Sequence, residues 1–196
     1  MTMARKITAD DIMDMDEYGA VRRERRRELV ATKRNRRAAI GPHATAHFEN
    51  FETMLAQVHE MLFIEKGGDE QLADELEAYN PLIPNGRELV ITLLFEIDNP
   101  EQRRQFLSNL GGVEETLFIM VGDERITGTA EEDVDRTTAD GKASSVQFIH
   151  FAFSDAQAAA FKSGDKPVML GISHPSYPHS TTLNADQIAA LAADFD

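Results

Sequence analysis

Nine of the sixteen residues from Arg22 to Arg37 are lysine or arginine, opposed only by Glu24 and Glu28, whereas residues 41–196 carry 9 basic against 27 acidic side chains. A stretch with a net charge of +7 cannot enter a core. It has to lie on the surface, beside a body with a net charge of −18. Strong helix formers predict a helix from about Asp16 to Arg37, with Gly19 its one weak position. Tyr18, Val21, Leu29 and Val30 give it only a narrow apolar stripe, too little to hold it by burial alone. Arg22, Arg23, Arg26, Arg27, Arg34 and Arg37 are therefore candidate partner-binding residues. They would seat on the protein's own acidic part or on an acidic protein surface. Nucleic acid is disfavoured, because the rest of the chain repels a polyanion and no aromatic residue interleaves the basic run to stack on bases. The stripe is also too narrow for a membrane surface. The charge changes sign near Ile40-Gly41-Pro42, dividing the chain into a basic helical segment, 1–40, and an acidic domain, 41–196.

Further along, Phe51, Leu55, Val58 and Leu62 recur at helical spacing, and Gly67-Gly68 closes that helix. A short helix over Glu70–Tyr79 places Leu72, Leu76 and Tyr79 on one side, before a turn-rich loop from Asn80 to Gly86. The period then changes. Residues 88–97 form an apolar, β-rich run, and Asn99-Pro100 starts a helix that closes before Gly111-Gly112. Strands are expected over 115–121 and 125–129, over 144–153 after an Asp140-Gly141 turn, and over 167–173. Ser154 with Gln157 and Asn184 with Gln187 read as capping boxes. The fold class is α+β: N-terminal helices, one long and Arg-rich, then a mostly antiparallel sheet with interspersed short helices.

The 196 residues contain no cysteine, which removes disulfides, thiolate-bound zinc, cysteine-ligated clusters and cysteine nucleophiles. Apolar residues make up 42% of the chain, enough for a core without such staples. No apolar run approaches a membrane span, and the N-terminus has no secretory h-region, so a cytoplasmic location is expected.

Several separated segments carry a family likeness. They are Gly41-Pro42-His43-Ala44-Thr45, Phe48-Glu49-Asn50, Glu60-Met61-Leu62, the run from Ala78 to Leu89, Gly111-Gly112-Val113-Glu114-Glu115, the run from Asp140 to Val146, and His174-Pro175-Ser176-Tyr177. Together, from about residue 6 to the C-terminus, they resemble the bacterial DUF3501 family, which is named for its unknown function. The resemblance implies a companion of rubrerythrin-like di-iron proteins and of cysteine-rich, heterodisulfide-reductase-like iron–sulfur proteins. It assigns no catalytic residue.

His150 lies in an expected strand, and His174 and His179 lie in a Pro-rich segment after another. Were those strands neighbours, the three imidazoles could hold iron or zinc with an open position. The same residues also suit plain roles, His150 as a hydrogen-bonded sheet residue and the other two as loop stiffeners. His43 and His47 are four apart, a metal spacing only on a helix. No Glu-x-x-His pair is present, which excludes a ferritin-like di-iron site. Phosphate-loop and nucleophile-elbow motifs are also missing, and Lys142 with Ser144 and Ser145 reads as a turn feeding a strand. The sequence thus holds no complete catalytic constellation. It points to an accessory or interaction protein, with a His-ligated metalloprotein as the alternative and a nucleic-acid-binding module as a further one. The thin apolar stripe of the basic helix leaves a homo-oligomer open.

Overall fold

The computed structural model describes residues 6–131 and 142–196. Six α-helices lie among them: α1 (Met15–Arg34), α2 (Phe51–Glu65), α3 (Gly68–Tyr79), α4 (Pro100–Leu107), α5 (Asp155–Ser163) and α6 (Ala185–Ala192). The strands are β1 (Arg37–Ile40), β2 (Ala44–Phe48), β3 (Glu88–Phe95), β4 (Leu117–Val121), β5 (Glu124–Thr127), β6 (Thr129–Ala130), β7 (Val146–Ala152), β8 (Val168–His174) and β9 (Tyr177–Thr182). The fold is α+β, with every pairing antiparallel. Helix starts follow local chemistry. Ser154 and Asn184 close capping boxes with Gln157 and Gln187, and Asn99 accepts from the Glu101 and Gln102 amides ahead of Pro100. The Asp140-Gly141 turn lies outside the described residues.

Two sheets form, in the orders β1-β2-β3-β7-β6 and β5-β4-β8-β9. Alternation along β3 sends Leu89, Ile91, Leu93 and Phe95 to one face, where they share a core with Leu117, Ile119, Leu170 and Ile172 of the other sheet. Each fully buried side chain of this kind contributes roughly 1.5–3 kcal/mol. The opposite face of the larger sheet, through Val90 and Phe148, meets Met54, Val58 and Leu62 of α2 and Leu72 and Leu76 of α3 in a second cluster. Gly128, between β5 and β6, turns the chain from one sheet into the other. A Cβ there would stand 2.5 Å from Ile149 Cγ2, so only glycine fits the corner.

The N-terminal region departs from expectation in one respect. The basic helix ends at Arg34, three residues early, with Asn35 as its C-cap. Arg37 then opens β1, which pairs with β2 across the Gly41-Pro42-His43 turn. The reason is tertiary. Arg36 is 4% exposed, donates to the carbonyls of Phe48, Glu49 and Ala190, and forms an ion pair with Asp194. Burial pushes the Asp194 carboxyl up, against the pull of Arg36. Sequence counting placed Arg36 in a solvated run, whereas it staples the start of β1 to the C-terminal end. Residues 40 and 41 accordingly fall within the β1–β2 hairpin.

Candidate interaction surface

α1 is capped by Asp14, whose carboxylate accepts from the Asp16 and Glu17 amides. Asp16 and Glu17 occupy its first turn and Lys33 and Arg34 its last, so both ends complement the helix dipole. Its hold on the body is polar as much as apolar. Tyr18, 4% exposed, stacks on His59 with ring centroids 4.9 Å apart and donates its hydroxyl to Glu60 at 2.7 Å. Arg22 grips the same carboxylate through Nε (2.9 Å) and Nη2 (2.8 Å), and its guanidinium lies 4.9 Å from the Phe63 ring centre. The Arg22 hydrogen bonds hold the Glu60 carboxyl down at about 2, while burial and the bond to Glu60 push the Tyr18 hydroxyl up to about 12. His59 Nδ1 donates to the Leu55 carbonyl and Nε2 accepts from the Met13 amide, an arrangement only the neutral ring can make. Burial lowers its pKa accordingly. Both ring nitrogens are thus used, and His59 is a structural residue.

The other side of α1 is different. Successive residues are rotated by about 100°, so Arg23, Arg27, Val30 and Arg34 fall within about 60° of one another, opposite Tyr18, Arg22 and Leu29. All four are exposed, Val30 by 66%, and it does not belong to the buried stripe. Arg22 is taken by Glu60, and Arg37, in β1, reaches Glu96 at 3.7 Å. Arg23, Arg26, Arg27 and Arg34 are exposed and form no ion pair among the described residues. The body therefore neutralises two of the six candidate arginines and leaves four to solvent. Beneath the C-terminal half of α1, a cavity of about 370 Å³ separates it from α2, floored by Leu55, Ala56 and His59 and flanked by Arg25 and Arg26.

The three candidate metal histidines are not brought together. His150 belongs to the larger sheet, His174 and His179 to the smaller, and no group of three or more His, Asp or Glu side chains is placed to hold a metal ion among the described residues. His150 lies between Glu88 (3.1 Å) and Glu131 (3.0 Å), with both nitrogens engaged. Burial works against its charge, but the two carboxylates prevail and raise its pKa. His174 accepts at Nδ1 from the Ser176 amide and stiffens the β8–β9 turn. The His179 ring packs edge-on to Tyr177 at 4.3 Å, over Gly41, where φ is +67° and a Cβ would stand 2.6 Å from the ring. Tyr177, from β9, donates to the Ile40 carbonyl and accepts from the amides of His43 and Ala44, which locks the β1–β2 turn. His47 lies in β2 and His43 in the turn before it, so their spacing is not helical. Glu49, in the Phe48-Glu49-Asn50 segment of the family likeness, is a buried carboxylate that accepts from the hydroxyls of Thr53 (2.6 Å) and Thr92 (2.7 Å) and ties the start of α2 to β3. Its signal was the Glu49-Asn50-x-x-Thr53 spacing ahead of an apolar helix.

Comparison with known proteins agrees with this architecture. A family model for a protein of unknown function, DUF3501, matches residues 6–195. The chain belongs to the DUF3501 family. A crystal structure described as a novel protein of unknown function from Burkholderia pseudomallei is 38% identical, covers 98% of this chain and 100% of its own, and superposes with a TM-score of 0.91. No curated protein matches. Among the described residues of this DUF3501 chain, no helix is long and apolar enough to cross a membrane.

Proposed function

We propose that this DUF3501 protein is an accessory interaction protein that docks on an acidic partner through the outward face of α1. The observation that carries this reading is the stripe Arg23, Arg27 and Arg34 around the exposed Val30, whose arginines form no ion pair among the described residues. Unpaired guanidinium groups around an apolar centre suit a protein interface, where arginine recognises carboxylates bidentately. The partner class follows from the family resemblance: rubrerythrin-like di-iron proteins and cysteine-rich iron–sulfur proteins of a bacterial redox system. Nucleic acid is the less suited polyanion, because the stripe offers no aromatic platform and the body as a whole is acidic.

The test is an anaerobic calorimetric titration with a purified, acidic rubrerythrin-like protein at about 50 mM and about 500 mM salt. Binding that weakens at high salt and falls at least tenfold in an R23E/R27E/R34E variant is the expected result. Absence of binding at low salt, binding that ignores the triple reversal, or preferential binding to an oligonucleotide would overturn the reading.

A further inference from the structure

α3 mirrors α1 in charge. It carries Asp69, Glu70, Asp74, Glu75 and Glu77 and no basic residue. Leu72, Leu76 and Tyr79 turn toward the second core cluster. On the opposite side Glu70, Asp74 and Glu77 are exposed, and none of them forms an ion pair or side-chain hydrogen bond among the described residues. Their i, i+4, i+7 spacing is that of Arg23, Arg27 and Val30, so both helices present straight stripes within about 60° of arc. The acidic stripe runs about 10 Å and the basic one about 16 Å, at about 1.5 Å per residue. Both helices pack on α2, with their stripes on the sides away from their buried residues, so the two stripes of one chain do not neutralise each other.

We propose that a second copy of this chain joins them: the arginine stripe of α1 in one copy seats on the acidic stripe of α3 in the other, and the reverse, in a two-fold dimer. This rests on the reading of α1 as a docking face and names a second occupant for it. Two-fold symmetry repeats the complementary contact, and each copy contributes one stripe of each sign. Like-charged stripes repel, which fixes the pairing as α1 on α3 and disfavours α1 on α1. An acidic partner and a second copy would compete for one surface, so self-association would shield the arginines until a partner displaces it.

The test uses the full chain and light scattering coupled to size exclusion at about 50 mM salt. Wild type is expected at twice 21.8 kDa. R23E/R27E/R34E alone and E70K/D74K/E77K alone each carry two stripes of one sign and are expected as monomers. Their equimolar mixture is expected to return to the dimer mass, which also shows that both variants are folded. A monomeric wild type, a dimer that survives either reversal, or a mixture that stays monomeric overturns the proposal. The partner titration separates the two readings: E70K/D74K/E77K should retain partner binding, whereas R23E/R27E/R34E should lose it, whatever the oligomeric state of the wild type.

Discussion

Two ionisable clusters make opposite demands on pH. Glu60 is held at about 2 by Arg22, with burial opposing and Tyr18 assisting, so its contribution is present above the ordinary carboxylate range and is lost as pH falls toward 2. Glu60→Gln should cost about 1–2 kcal/mol in urea unfolding at neutral pH. That difference should shrink as pH falls from about 4 to about 2. A constant difference across that range would show that the carboxylate charge is not what holds α1. His150 runs the other way. Its pKa is raised, so the stabilisation from Glu88 and Glu131 is complete below about 6.5 and is lost as pH climbs through the elevated value. His150→Gln should therefore cost about 1 kcal/mol near pH 6 and much less near pH 9, read as a urea midpoint. An equal loss at both pH values would mean that the imidazole acts by packing.

Helix α1 owes its position to a glycine that propensity alone marks as a weakness. A Cβ on Gly19 would stand 2.9 Å from Phe63 Cε2, so the missing side chain lets α1 settle over the Phe63 ring that Arg22 also covers. A Gly→Ala change at an exposed helix site usually gains about 1 kcal/mol. At Gly19 that gain should be absent in the wild-type background and should reappear when Phe63 is also Ala, which thermal melts of the four variants in a double-mutant cycle would measure. Equal effects in both backgrounds would sever Gly19 from the docking of α1. The contrast between the faces of this helix also explains why sequence reading placed its arginines only in part. Composition marks all of them as a surface feature, but Glu60 is 38 positions from Arg22, and nothing local shows that this carboxylate takes up the charge of Arg22 while Arg27 forms no ion pair among the described residues.

Across the molecule, Arg36 binds the N-terminal region to the C-terminal end through Asp194 and the carbonyls of Phe48, Glu49 and Ala190. Arg36→Met would leave a buried carboxylate without its cation and should cost about 3–5 kcal/mol, a larger loss than Glu60→Gln. The measurement is chemical unfolding followed by both helix and near-ultraviolet signals. Coincident transitions shifted together are expected, since β1 belongs to the same sheet as β2 and β3. Two separated transitions in the wild type would instead indicate a division between residues 1–40 and 41–196.

Legible along the chain were the α+β class, the caps at Asn99, Ser154 and Asn184, the surface placement of most of the basic run and most of the central strands. These are set by near neighbours: capping side chains three residues apart, apolar residues at a period of 3.6 or 2, and charge too dense to bury. Tertiary structure decided the rest. The early end of α1, the burial of Arg36, the corner at Gly128 and the separate settings of His150, His174 and His179 all depend on segments well removed along the chain. Such partners are chosen by packing and by the cost of leaving a buried polar group unpaired, and neither is written in local spacing.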